Sequence, residues 1–307
     1  MPSRYRSILA AVISALVVAS CDAVFFQPND RLYYQPQQFG LRFEEVRFAS
    51  ADGTRLHAWF LRGAAPVRGT IVFFHGNAAN ISNHLYAVRW LPPAGYSVLL
   101  FDYRGYGESE GFPERAAAIA DGAAAIRHAR GRPDVDPRRL IVYGQSLGGT
   151  LAMSALAEAG TEGVRALVVE SSFRSYREVA RLKMDEHWLS WAFQYPLSWL
   201  LFSDDLSPVA ILPRLAGVPT LVVHRTLDNT VPFEAGRRLY ESLPAPGKTF
   251  WAVEGEGHIS TFVLPEPGWR EKLLAWLDEK VGGELKTATA SADFADDSDL
   301  EQLSPAW

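Results

Sequence analysis

The chain has 307 residues, 48% of them hydrophobic and 21% charged, with a formal net charge of −5. Such a length holds one large or two small globular domains, and the apolar, charged and Gly/Pro fractions are those of an ordinary globular protein. No basic stripe runs through the sequence, which argues against a nucleic-acid partner, and a single cysteine excludes an internal disulfide.

Arg4 and Arg6 make a short positive region, and residues 8–18 are apolar apart from Ser14. That stretch is short for a membrane span and fits the hydrophobic region of a signal peptide. Val18-Ala19-Ser20-Cys21 follows and resembles a bacterial lipoprotein lipobox, with Val18 where Leu is usual. The resemblance implies cleavage before Cys21 and lipid on its thiol and new amino group. Asp22 fits retention at the inner membrane. An ordinary signal peptide with a chance cysteine is the alternative; that the only cysteine lies here favours the lipoprotein. The expectation is a signal peptide over 1–20 and a lipid-anchored, periplasm-facing protein of the bacterial envelope. Residues 21–40, rich in Gln, Pro, Asn and Tyr, read as an extended tether.

Residues 41–48 and 56–61 read as two strands around an Asp52-Gly53 turn. Residues 70–74 form a buried strand ending at His75-Gly76-Asn77-Ala78-Ala79-Asn80. A helix is predicted over 82–91, stopped by Pro92-Pro93. The next buried strand, 96–101, runs into the Gly-rich loop 102–111, and a helix follows over 113–130. Residues 140–143 are a short apolar strand with β-branched members, and 147–158 an Ala- and Leu-rich helix. Strands over 166–169, 219–223 and 249–253 and helices over 233–243 and 267–281 complete the pattern. From Gly282 the chain turns polar and acidic and reads as a disordered tail over 282–307. Unbroken apolar strands alternating with helices predict a mostly parallel sheet covered on both faces. Ligands of such sheets bind at the carboxyl ends of the strands, where every suspect motif here falls.

Between the strand at 140–143 and the helix at 147–158 lies Gly144-Gln145-Ser146-Leu147-Gly148. A strand that turns at once into a helix crowds the corner. Gly144 and Gly148 relieve the crowding, and Ser146 is driven to positive φ with its hydroxyl exposed. The Leu147 N–H, at the helix N-terminus, is placed to donate to a developing oxyanion. A plain turn is the bland reading; Gly149 and the strand–helix setting favour a nucleophile.

A serine hydroxyl needs a positioned base, and the base needs a third group to hold its tautomer. Of seven histidines, His258 follows the last strand and precedes the last helix, where the order Ser…Asp…His puts the base. His224, at a strand end, is its main competitor. His75 precedes a glycine as a turn residue would. His57, His84, His128 and His187 read as surface or packing residues. Asp228, in the loop after the penultimate strand, is the preferred acid. Asp102 sits in a Gly-rich turn, where Asp is ordinary, and Glu170 is the outside alternative. The second oxyanion donor is expected from His75-Gly76-Asn77, at the Asn77 N–H. Nothing in this chemistry calls for a metal or an organic cofactor.

Together these residues resemble the α/β-hydrolase superfamily, over residues 41–281. His-Gly-Asn-Ala-x-Asn, Asp-Tyr-Arg-Gly-Tyr-Gly-x-Ser-x-Gly, Gly-Gln-Ser-Leu-Gly-Gly and Asp-x-x-Val-Pro are similar to the branch holding serine-aminopeptidase-like hydrolases and membrane-associated depalmitoylases. The resemblance implies an eight-stranded, mostly parallel sheet with helices on both faces and a cap or lid over 173–203. One departure is Arg225, where the branch usually has Gly after the His. The variable segment carries Trp188, Trp191, Phe193, Tyr195, Trp199 and Phe202; it reads equally as a packing helix pair or an apolar lid. The expected activity is a serine hydrolase acting on carboxylic esters or thioesters of small or acylated substrates. A peptidase, with Glu170 or Asp204 holding a substrate ammonium, is the second reading, and a non-catalytic scaffold the third.

Overall fold

The computed structural model describes residues 25–185, 194–244, 246–264 and 266–282. The signal peptide and Cys21, the acidic tail beyond residue 282, and Trp188, Trp191 and Phe193 lie outside the described residues.

Phe43–Ala49 (β1) and Arg55–Leu61 (β2) pair antiparallel, and β2 pairs antiparallel with Tyr96–Phe101 (β4) on its other edge. Gly69–Phe74 (β3), Leu140–Gln145 (β5), Val164–Glu170 (β6), Thr220–Leu227 (β7) and Lys248–Glu256 (β8) run parallel to β4 and to one another. The order across the sheet is β8-β7-β6-β5-β3-β4-β2-β1. This is the expected eight-stranded, mostly parallel sheet. Every residue of β3, β4 and β5 is buried, as unbroken apolar strands between two helical layers require.

Side chains alternate along a strand, so each central strand feeds two cores. Val72 and Phe74 of β3 join Leu99 and Phe101 of β4 under Ile119, Ile126, Leu151, Leu156 and Leu239. Those residues belong to Arg115–Gly131 (α2), Leu147–Ala159 (α3) and Phe233–Ser242 (α6). Ile71 and Phe73 face the other way with Leu100, against Leu85 of Ile81–Val88 (α1) and Leu273 and Leu277 of Trp269–Val281 (α7). Each such side chain contributes about 1.5–3 kcal/mol on full burial. Tyr176–Asp185 (α4) and Gln194–Leu201 (α5) follow β6.

The sequence pattern shortens β7. Polar residues His224, Arg225 and Thr226 continue β7 past the apolar run, with His224 paired to Ala252 and Arg225 to Val253. Backbone pairing carries the ladder there, and side-chain polarity does not report it. Conversely α1 stops at Val88, ahead of the prolines expected to end it.

Residues 25–40 correct the tether expectation. Phe26 is in the core, Gln27–Pro28 pairs parallel with Ala78–Ala79, and Pro36–Phe39 forms a 3-10 turn. Tyr34 and Phe39 lie against the Tyr86 ring. Four aromatic rings at 25, 26, 34 and 39 gain enough from burial to dock the segment, although its Gln/Pro/Asn composition reads as a linker. Among the described residues no helix is long and apolar enough to cross a membrane.

Candidate active site

Ser146 joins β5 to α3 at φ 54°, ψ −126°, a strained conformation that the corner enforces. A Cβ on Gly148 would lie 2.2 Å from the Phe74 carbonyl oxygen, and one on Gly144 2.5 Å from the Gly148 carbonyl oxygen. Only glycine fits at either position. The Ser146 N–H donates to the Glu170 carbonyl at 2.8 Å, which ties the corner to β6.

The Ser146 Oγ lies 2.8 Å from His258 Nε2. His258 Nδ1 lies 2.8 Å from Asp228 Oδ2 and 3.1 Å from Oδ1. The Thr230 and Val231 N–H groups donate to Asp228 Oδ1, each at 2.9 Å. Burial pushes the Asp228 carboxyl up, but the His258 hydrogen bond, the charges of His258 and His224 and the Val231 N–H outweigh it. The group therefore titrates below the usual carboxylate range. An ionised Asp228 takes the hydrogen of Nδ1, which leaves Nε2 to accept from the serine hydroxyl. Three residues far apart in sequence thus form one hydrogen-bonded chain at the carboxyl ends of β5, β7 and β8.

Residues 65–213 match the serine aminopeptidase, S33 family. Over 249 residues the chain is 39% identical to the alpha/beta hydrolase domain-containing protein WAV2 of Arabidopsis thaliana, covering 78% of this chain and 80% of WAV2. The chain belongs to the α/β-hydrolase family. This hydrolase is also 34% identical over 242 residues to the uncharacterized protein YfhR of Escherichia coli K12, covering 78% of this chain and 80% of YfhR. Its fold matches that of an esterase of Pyrococcus furiosus, Pf2001, with a TM-score of 0.66 at 20% identity, over 84% of this chain and 98% of that one.

The competing side chains of the hydrolase are engaged elsewhere. His224 is fully buried, its Nε2 2.9 Å from the Val231 carbonyl oxygen, and burial lowers its pKa. Asp102 is buried and accepts the Ile81 N–H at 2.8 Å. Glu170 is fully buried. It accepts from Tyr143 Oη at 2.6 Å, Gln145 Nε2 at 2.8 Å and the Thr261 N–H at 3.1 Å. Its carboxylate therefore lies beneath both the serine corner and the His258 loop. Asp204 accepts from Ser175 Oγ at 2.8 Å and Ser207 Oγ at 2.6 Å.

Gly76 approaches Ser146 closely: a Cβ there would lie 3.8 Å from Ser146 Cβ. The Asn77 carbonyl next in the chain accepts from Tyr106 Oη at 2.6 Å and from the Gln27 N–H at 2.9 Å. Sequence reasoning missed Tyr106 and Gln27. Tyr106 stood inside a quoted motif, but Gln27 carried no local signal. Arg225, the departure from the family pattern, is also structural. Its buried guanidinium donates to the Glu254 carbonyl at 3.3 Å and the Glu256 carbonyl at 3.1 Å and pairs with Glu266, bracing the loop that carries His258.

Two cavities meet at Ser146, Asn77 and Thr230. One, of about 410 Å³, is walled by Phe25, Leu147, Phe173, Val179, Met184 and Phe202, with Lys183 also in its lining and its Nζ donating to the Asn229 carbonyl at 2.8 Å. The described parts of segment 173–203 thus supply much of an apolar wall, α4 chief among them. Tyr195 and Trp199 point outward instead, with Arg181 and Arg177 over their rings. The other cavity, of about 660 Å³, holds Gln27, Asn29, Tyr33, Asn83, Asn229 and Ser260. Among the described residues no group of three or more His, Cys, Asp or Glu side chains converges as metal ligands.

Beneath the 75–80 loop, the His75 and His84 rings stack with centroids 5.0 Å apart. Burial lowers His84 to about 4 and holds His75 well below its ordinary value. Such histidines fold without their proton, whereas the unfolded chain takes protons up below about pH 6.5. Stability is therefore full above that pH and falls as pH drops toward 4. The His84 shift alone, at about 1.36 kcal/mol per unit, is worth roughly 3 kcal/mol. His57 works in the opposite sense. Burial lowers it, but Asp102 and Glu45 outweigh burial and raise it, so its contribution is present below pH 6.5 and lost as pH rises. Urea midpoints should fall between about pH 6.5 and 4.5, with a shallower fall in His84→Gln. A flat profile over that interval would contradict the buried neutral pair.

Proposed function

We propose that this hydrolase is a serine hydrolase of carboxylic esters or thioesters. The observation that carries the reading is the Ser146–His258–Asp228 chain opening onto an apolar cavity. Ser146 Oγ attacks the acyl carbonyl and passes its proton to His258 Nε2. Asp228 stabilises the resulting imidazolium and holds its orientation. The Leu147 and Asn77 N–H groups receive the developing oxyanion, each worth about 2.7–4 kcal/mol to the transition state. His258 then protonates the departing oxygen or sulfur, leaving the acyl group on Ser146. Water attacks that ester, gives its proton to His258, and the proton returns to Ser146.

Two observations favour esters over aminopeptidase chemistry. An aminopeptidase needs a carboxylate for the substrate ammonium, and among the described residues neither cavity is lined by Asp or Glu. The two carboxylates considered for that role, Glu170 and Asp204, are occupied by protein donors. The proposal extends to lipid attachment at Cys21 and a periplasm-facing place at the inner membrane, supported by the N-terminal sequence.

The test uses p-nitrophenyl esters of graded chain length and a fluorophosphonate probe. The probe should label the protein. Specificity should rise with each added methylene, by roughly three- to fourfold at about 0.8 kcal/mol per buried CH₂, until the cavity is full. Val179→Trp, which fills the cavity, should move the optimum to shorter chains. Labelling with no turnover of any ester would sink the esterase reading and favour the peptidase.

A further inference from the structure

The larger cavity is not accounted for by an acyl chain. We propose that it is the leaving-group site, and that it selects a neutral alcohol or thiol bearing hydroxyl or amide groups. This rests on the reading of Ser146 as the acyl-accepting nucleophile.

Proton geometry assigns the two cavities. The leaving oxygen or sulfur must take its proton from His258 Nε2, so the leaving group departs on the side that His258 faces. His258, with Gly257 and Ile259, lines the larger cavity and is absent from the lining of the apolar one. The acyl chain therefore takes the apolar side, between Phe173, Val179 and Phe202.

The chemistry of the larger cavity defines its ligand. Its lining joins the apolar Ala78, Ala79, Ile259, Val263 and Leu264 to Asn, Gln, Ser, Thr and Tyr side chains, together with His84 and His258, and among the described residues it includes no Lys, Arg, Asp or Glu. A charged headgroup would lose water there and meet no counter-ion in the lining, since Lys183 belongs to the apolar cavity and its Nζ is on the Asn229 carbonyl, whereas hydroxyls and amides would exchange water for protein partners. Asn83 is the most telling residue. It lies near the start of α1 with only 5% of its surface exposed, yet its side-chain amide bonds to no described residue while lining the cavity. An amide open to the cavity in this way offers a donor and an acceptor together.

The wall that residues 27–33 supply is hydrogen-bonded to the body of the protein. The Asn29 carbonyl accepts from the Gly107 N–H at 3.1 Å and Asn80 Nδ2 at 3.0 Å, and the Tyr33 N–H donates to Ser82 Oγ at 2.9 Å. The segment expected to be a tether thus forms one side of the site. A prearranged polar wall favours ligands whose groups match it.

The experiment uses the full-length protein in neutral detergent and octanoyl esters that differ only in their alcohol: glycerol, hexanol, choline and glycolate. The kcat/KM for the glycerol ester should exceed those of the choline and glycolate esters by about tenfold or more, and that of the hexyl ester by a smaller factor. Asn83→Leu should reduce the preference for glycerol over hexanol. Asn83→Asp, which places a carboxylate in the cavity, should raise choline over glycolate by about tenfold, a gain that misfolding does not produce. Flat specificity across the four alcohols, or an unchanged choline-to-glycolate ratio in Asn83→Asp, overturns the leaving-group site. If p-nitrophenyl octanoate is still turned over with Ser146 intact, the serine hydrolase reading survives that failure. If no ester is turned over, both fall together.

Discussion

Ser146→Ala is expected to abolish fluorophosphonate labelling and to lower kcat for p-nitrophenyl esters by about ten-thousand- to a million-fold. His258→Ala should cost a similar factor, because among the described residues the Ser146 hydroxyl is hydrogen-bonded to no base other than His258 Nε2, at 2.8 Å. The double variant should be hardly worse than either single one, since the members act as a unit and each loss already disables the rest. Asp228→Asn preserves shape but offers an N–H where an acceptor is needed, and should cost about ten-thousand-fold through the wrong imidazole tautomer. Steady-state kinetics of the four variants check the set. Additive losses in the double variant would mean that Ser146 and His258 do not act on the same proton.

Glu170→Ala is the second large expectation, and its effect is on stability first. The carboxylate is fully buried and receives Tyr143 Oη, Gln145 Nε2 and the Thr261 N–H. Burial, and after it the charge of Glu170, drives the Tyr143 hydroxyl well above its ordinary pKa, so it remains a donor. Removing the acceptor leaves the Tyr143 hydroxyl and the Thr261 N–H without partners and Gln145 Nε2 with only a 3.4 Å bond to Tyr143 Oη, which should cost about 3–5 kcal/mol, as breaking a buried charged network does. Glu170→Gln keeps the volume and one carbonyl oxygen, and should cost about 1–3 kcal/mol. Urea denaturation gives both numbers. Activity should fall more than the folded fraction does, because Gln145 precedes Ser146 and Thr261 lies three residues after His258. A change of less than about 0.5 kcal/mol in Glu170→Ala would mean that this network does not hold the two loops together.

The serine corner was legible because its constraint is local. The crowding that excludes a Cβ at Gly144 and Gly148 involves neighbouring turns of one strand–loop–helix unit, and a five-residue spacing encodes it. The alternation of apolar strands with helices was legible for the same reason, since buried strands carry their signature residue by residue. The choice of His258 over His224 was less secure in sequence, as both follow strands. Packing separates them. A Cβ on Gly236 would lie 2.2 Å from His224 Nδ1, so that ring is sealed under α6. His258 stands on the loop beyond β8 with Ser146 in reach. Arg225 was legible only as a departure from the family pattern; its guanidinium donates to the Glu254 and Glu256 carbonyls at the end of β8 and pairs with Glu266 beyond it.

The sequence by itself determined the mostly parallel fold, the strained serine and the placing of Asp228 and His258 just after the last two strands. Each depends on residues close together or on a periodic pattern, and short-range sterics and burial act directly on such features. Only the tertiary structure decided that residues 25–33 wall both cavities and hold the Asn77 carbonyl, that Glu170 underpins two loops, and that the two sides of Ser146 differ in polarity. Those features join residues some fifty to ninety positions apart, such as Gln27 with Asn77 and Glu170 with Thr261. Contacts at that separation exist only once the sheet has closed, and no local pattern of side chains carries their signature.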